Sequence, residues 1–187
     1  MATYISMLRG INVSGQKPMK MDALKALYET LGLQQVQTWI QSGNVVFRND
    51  QGPGQLAADI AAAIEQKFGF SVPVFVLAMP QLQRIVAHNP FADDSTKDEN
   101  FLHITFLAAP PAHIDEVAIE AKLAPGEAIA CTAEAVYLYC PNGYGRTKLT
   151  NTFIESKLQV AATTRNWKTV NTLLRMAEEV PATDKDE

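Results

Sequence analysis

The chain has 187 residues, 47% hydrophobic and 19% charged, with a formal net charge of −4. This is an ordinary globular composition, long enough to bury one large core or two small ones. No uninterrupted apolar run approaches the ~20 residues that cross a bilayer, and Cys131 and Cys140, without CxxC spacing or a nearby histidine, argue against a disulfide framework or a structural metal. The start, MATYISMLRGINV, lacks the charged and apolar regions of a signal peptide, so a reducing cytoplasm is the expected compartment.

In chain order, Thr3 to Leu8 reads as a strand, followed by a long Gly/Ser/Asn loop from Gly10 to Pro18. Met21, Leu24, Leu27 and Leu31 have helical spacing, and Gly32 stops that helix. Val36 to Gln41 and Val45 to Phe47 are β-rich runs separated by the hairpin signal Ser42-Gly43-Asn44. Leu56, Ile60, Ile64 and Phe68 mark a second helix ended by Gly69, and Val72 to Leu77 is a fourth strand. The order is β-α-β-β-α-β, the pattern of a ferredoxin-like sandwich.

After a short helix beginning at Pro80 and an acidic loop from Asn89 to Asn100, Phe101 to Leu107 reads as a strand. A helix over His113 to Leu123, strands near Ala128 to Cys131 and Val136 to Cys140, a helix over Leu149 to Leu158 and a final helix near Thr169 to Glu179 complete the order. The expected class is α+β: a ferredoxin-like lobe over 1–90, a second α+β lobe of similar order over 91–180, and a disordered tail over 181–187. The halves share element order, with no residue-level repeat.

A split βαβ order places the end of the first strand and the first hairpin at one edge of the sheet. That edge gathers Arg9, Asn12, Ser42 and Asn44 near a helix N-terminus, a setting for an anion or polar ligand. The blander reading makes Ser42-Gly43-Asn44 a good turn and Arg9 a surface charge. A phosphate-cradling loop is rejected, because Gln16 occupies the lysine position of the motif and Pro18 follows Lys17.

Charge is unevenly spread. From Cys140 to Met176 there are six basic residues against one acid, whereas Asn49 to Tyr139 holds four basic and twelve acidic residues. In the basic segment, Arg146 can fork onto a phosphate or carboxylate and Lys148 can add a point charge. Leu149, Phe153 and Leu158 are expected as the buried stripe of a helix, with Lys148, Asn151 and Glu155 on its polar side. Glu155 can be a general base, a metal or amine contact, or an ion-pair partner of Arg146 or Lys148, the last being commonest. Arg165 and Asn166 precede the last helix, which Asn166 or Thr169 can cap while Trp167 seals the core. The histidines His88, His103 and His113 are scattered, no serine sits in a GxSxG elbow, and no metal site is indicated.

The blocks LRGINVSG (Leu8–Gly15), WIQSGNVVF (Trp39–Phe47), NPF (Asn89–Phe91), YGRTKLTNTFIESKL (Tyr144–Leu158) and ATTRNWKTV (Ala162–Val170) resemble the bacterial family catalogued as domain of unknown function 1697. The resemblance implies a two-lobed α+β protein of ferredoxin-like character and brings no established activity or cofactor. Small departures are Ser14-Gly15 for a glycine pair and Trp39 for a frequent tyrosine.

Three functional classes follow. The first is a small-molecule protein, with or without catalysis, that binds an anionic metabolite through Arg146, Lys148 and Arg165 with Arg9 and Asn44 meeting them. The second is a nucleic-acid module of ferredoxin-like type, disfavoured by pI ≈ 5.4 and by strands lacking an aromatic RNA-binding run. The third is a protein-interaction domain without ligand.

Overall fold

The computed structural model describes residues 1–181; the predicted tail beyond Pro181 lies outside them. Among the described residues eight strands and six α-helices form an α+β arrangement. The first six elements are β1 (Ala2–Leu8), α1 (Met21–Thr30), β2 (Gln34–Trp39), β3 (Asn44–Asn49), α2 (Pro53–Phe68) and β4 (Val74–Ala78). After α3 (Met79–Ala87), the order repeats as β5 (Leu102–Leu107), α4 (Glu116–Glu120), β6 (Ala128–Cys131), β7 (Ala135–Tyr139), α5 (Asn151–Leu158) and β8 (Ala162–Asn166), followed by α6 (Trp167–Glu179).

Each half forms a four-stranded sheet whose paired neighbours are antiparallel, ordered β2-β3-β1-β4 in the first and β6-β7-β5-β8 in the second. The two orders are identical position for position. They are the order a βαββαβ chain takes when the third strand enters between the first two and the fourth joins the far side of the first. The chain divides into two compact units. One comprises Met1–Gln83 with the stretch from Thr172, and the other Arg84–Asn171; the boundaries fall inside α3 and α6.

In the first unit, alternation along β1 turns Tyr4, Ser6 and Leu8 toward the helices. There Tyr4 and Leu8 join Val45 and Phe47 from β3, Leu24, Leu27 and Tyr28 from α1, and Leu56, Ile60 and Ile64 from α2. Ser6 sits in this apolar layer because its Oγ lies 2.7 Å from the Tyr28 hydroxyl, so two buried polar groups satisfy each other. Burial pushes the Tyr28 phenol well above its ordinary range, and it remains a neutral hydrogen-bonding group. The opposite face of the sheet, with Ile5, Met7 and Val46, is also buried. In the second unit, Leu107, Val136, Leu138 and Ala162 pack with Ile119 of α4 and Ile154 and Leu158 of α5.

Four expectations need correction. The helix read over His113 to Leu123 shrinks to Glu116–Glu120, capped by Asp115 Oδ1 accepting from the Ala118 amide. Only Ile119 in it is buried and Val117 is 80% exposed, so the segment lacks a stripe to bury a longer helix. Helix α5 starts at Asn151, because Thr150 is its N-cap and Thr147 Oγ1 accepts from the Leu149 amide in a preceding turn. Lys148 and Leu149 therefore lie before the helix, and its buried residues are Ile154 and Leu158 rather than Phe153. Ala162–Asn166, ahead of the last helix, forms the edge strand β8, and α6 begins at Trp167 rather than near Thr169.

Candidate functional site

The sequence-predicted residues fall into one group in each unit. In the first, Asn12, Ser42 and Asn44 meet at the sheet edge where β1 ends and β3 begins, with Met7 paired to Asn44. Asn12 (φ +54°) donates through Nδ2 to the carbonyls of Met19 and Gln41, both at 2.8 Å, and accepts from the Met19 amide through Oδ1 at 2.8 Å. The bond to Gln41 ties the Gly10–Pro18 loop to the hairpin, and the pair to Met19 closes the loop on itself. Asn44 is fully buried and donates to the Trp39 carbonyl and to Ser42 Oγ, which fixes the turn. The amide of Arg9 donates to the Pro73 carbonyl, and its side chain is partly buried. These bonds engage Asn12 and Asn44 in holding the loop and the turn.

In the second unit, β7 hands the chain to a 3₁₀ turn at Tyr144–Arg146 and then to the start of α5. Gly143, at φ +94°, makes the reversal possible. Arg146 and Lys148 are exposed, and among the described residues neither side chain forms an ion pair or hydrogen bond. The Arg146–Glu155 and Lys148–Glu155 pairs named from sequence are not formed. Glu155 instead accepts from the Ala162 amide through Oε2 at 3.2 Å, joining α5 to the start of β8.

Asn151 is oriented from the sheet. Thr164 Oγ1 donates its one proton to Asn151 Oδ1 at 2.6 Å, so Thr105 Oγ1 must donate to Thr164 in the 2.7 Å contact between the hydroxyls. That chain engages Asn151 through Oδ1 alone and leaves Nδ2 without a hydrogen bond among the described residues, in the first turn of α5, which contains no acid. Arg165 is only 8% exposed and belongs to β8 opposite Ile104. Its Nη1 donates to Thr163 Oγ1 and to the Thr164 carbonyl, both at 2.9 Å. Burial pushes the guanidinium pKa down to about 10, against the influence of Tyr144, and it stays charged at neutral pH. Asn166 Oδ1 accepts from the Thr169 amide at 2.8 Å, the capping role foreseen for it.

One contact of the basic segment is not visible in the sequence. His103 stacks on Tyr144 with centroids 4.6 Å apart and sits opposite Asn166 in the β5–β8 ladder. The strand register gives the second relation and the turn after β7 the first, and neither can be read from residues so far apart in sequence. Burial lowers the His103 pKa; the Phe101 backbone pulls the other way, though Nδ1 has no partner at hydrogen-bond geometry. A lowered pKa means the unfolded chain binds a proton near pH 6.5 while the folded chain still refuses it. Stability is therefore expected to fall as pH drops below about 6.5, at up to ~1.4 kcal/mol per pH unit for one proton. Chemical denaturation of the wild type and His103→Gln between pH 7.5 and 5 checks this, and the variant should show the flatter profile.

Hollows of moderate size occur within each unit among the described residues. One, of about 300 Å³, is bordered by Leu33, Leu56, Ile60 and Asp59; the other, of about 240 Å³, by Arg84, His88, Glu134 and Tyr137. Neither is lined by the residues above. Among the described residues there is no cluster of three His, Cys, Asp or Glu side chains fit to hold a metal, and no helix is long and apolar enough to cross a membrane.

Comparison with known proteins follows the fold. A solved structure described as the conserved bacterial protein SP0830 from Streptococcus pneumoniae is 20% identical, covers 94% of this chain and 98% of its own, and superposes with a TM-score of 0.70. At that identity the likeness establishes the architecture alone. No curated protein matches. The family model described as "Protein of unknown function (DUF1697)" matches residues 1–137, so the segments Tyr144–Leu158 and Ala162–Val170 lie beyond the matched region. With most of its length covered by that match, the chain belongs to the DUF1697 family.

Proposed function

We propose that this chain binds a phosphate- or carboxylate-bearing small molecule at the start of α5. The observation that carries the reading is a set of uncommitted donors within a short stretch: the Arg146 guanidinium, the Lys148 ammonium and the Asn151 amide, with no acid in the first helical turn. The helix N-terminus adds unpaired backbone N–H groups and the positive end of its dipole. Arg146 grips two anion oxygens in a fork, Lys148 contributes charge, and Asn151 Nδ2, held by the Thr105–Thr164 relay, contributes direction. Glu155 is engaged at the Ala162 amide, and no proton transfer is assigned to it.

The test is a thermal-shift series with inorganic phosphate, nucleoside monophosphates and sugar phosphates. A ligand at about 100 times its dissociation constant adds about 2.7 kcal/mol to the folded state. The double variant Arg146→Ala/Lys148→Ala should lose that shift while its ligand-free stability changes by no more than about 0.5 kcal/mol, as exposed unpaired side chains allow. Failure of every anion to shift the wild type, or an undiminished shift in the double variant, removes the reading.

A further inference from the structure

Both ends of the basic loop are fastened beside one histidine. His103, Thr105 and Leu107 of β5 lie opposite Asn166, Thr164 and Ala162 of β8, and Leu107 and Ala162 pack against the helices. All six residues therefore share the helix-covered face of the sheet. Tyr144 opens the loop by stacking on the His103 ring, with centroids 4.6 Å apart and planes 21° from parallel. Asn151 closes it, its Oδ1 accepting from Thr164 at 2.6 Å. Thr164 is a diagonal neighbour of His103 across the ladder, at roughly 7–8 Å. Arg146 and Lys148 lie between these anchors, one resting on the imidazole and the other on its neighbour.

The His103 ring is half-buried, and its Nδ1 has no hydrogen-bond partner. Burial disfavours a proton there, and the like charges of Arg146 and Lys148 work in the same direction. The other groups around the ring leave that balance unchanged. Cys140 of β7 is a second diagonal neighbour; burial pushes its thiol up to about 11, and Glu127 acts on it from the turn before β6. Glu155 of α5 is held at Ala162, four residues along β8 from Asn166 and so roughly 13 Å away. Glu116 and Glu120 of α4 act on Cys131, at the far end of β6, and Arg165 lies on the opposite face of the sheet.

A phosphate dianion on the loop cancels the charge of Arg146 and Lys148 and reverses the field at the imidazole. Resting on the anion site described above, we propose that anion binding to this loop is linked to proton uptake by His103. A given charge state of the anion is then held more tightly as pH falls. Two charges at about 10 Å, weakened by water and salt, raise an imidazole midpoint by about 0.5–1 pH unit. That corresponds to about three- to tenfold tighter binding below both midpoints than above them.

NMR titration of the imidazole Cε1–H signals of the full chain, between about pH 8 and 5, tests the linkage. It is run in about 50 mM inorganic phosphate, enough to fill a millimolar site, and in chloride of equal ionic strength. His88→Gln and His113→Gln, both at exposed positions, identify the His103 signal by elimination. In phosphate the His103 midpoint should rise by about 0.5–1 unit while those of His88 and His113 stay where chloride puts them. In Arg146→Ala/Lys148→Ala, phosphate should move none of the three. Phosphate that raises the wild-type melting temperature without moving His103 overturns the linkage and leaves the anion site standing. Phosphate that does neither removes both. A His103 shift that persists in the double variant, or that His88 and His113 share, also overturns the linkage.

Discussion

Phe47→Ala is expected to lower the unfolding free energy by about 3–5 kcal/mol, the range for removing a large aromatic side chain from a closed core. Phe47 is fully buried on β3 and lies between two other rings. Tyr28 of α1 meets it edge-on, with centroids 5.6 Å apart at 81°, and Tyr4 of β1 leans on it at 5.8 Å. Truncation deletes both contacts and opens a space between sheet and helix. Such aromatic pairs are worth about 0.5–1.5 kcal/mol each beyond simple burial. The same substitution threatens the Ser6–Tyr28 hydrogen bond, because Tyr28 is positioned partly by the ring it abuts. Phe47→Leu keeps most of the volume and should cost less than half as much. Urea unfolding monitored by circular dichroism measures both, with midpoint rather than slope carrying the change. A loss below about 1.5 kcal/mol for the alanine variant would show that the layer closes over the gap.

Gly43→Ala is expected to cost about 2–4 kcal/mol from two additive sources, positive-φ strain and overpacking. The residue has φ +81°, in the left-handed region. A Cβ there would come within 2.8 Å of both Ile11 Cδ1 and Leu8 Cβ. The first is the end of a flexible side chain and can yield. The second is fixed to the backbone of β1, whose Leu8 amide donates to the Gly43 carbonyl at 2.9 Å. Relief of the clash therefore moves the hairpin away from β1 and strains the Asn12–Gln41 link. Gly10→Ala is the matched control, since its φ is also positive and a Cβ there meets nothing within 4 Å. The difference between the two variants isolates the packing component, and equal losses would leave strain alone as the cause.

The regular elements of the first half were legible because their chemistry is redundant. The apolar run from Thr3 to Leu8, the helical spacing of Leu56, Ile60 and Ile64, and glycines at helix ends all point the same way. The second half was less so, for local reasons. Ala162–Asn166 carries two threonines, an arginine and an asparagine, a composition that suits a helix approach as well as an edge strand; pairing with β5 decides the matter. In the basic segment the charge asymmetry was visible, but two roles were not. Arg165 lies in the sheet, and Asn151 is held through Thr164 and Thr105. Both depend on ladder register, which cannot be read from residue spacing along the chain.

The first unit is discontinuous in the chain, and this bears on biosynthesis. Its closing stretch begins at Thr172, where Glu178 Oε1 accepts from Gln83 and the Pro181 carbonyl accepts from Arg48. A ribosome releases Met1–Gln83 before that stretch, so the intervening Arg84–Asn171 emerges whole while the earlier portion still awaits its last contacts. A premature stop just after Asn171 therefore damages the portion made first.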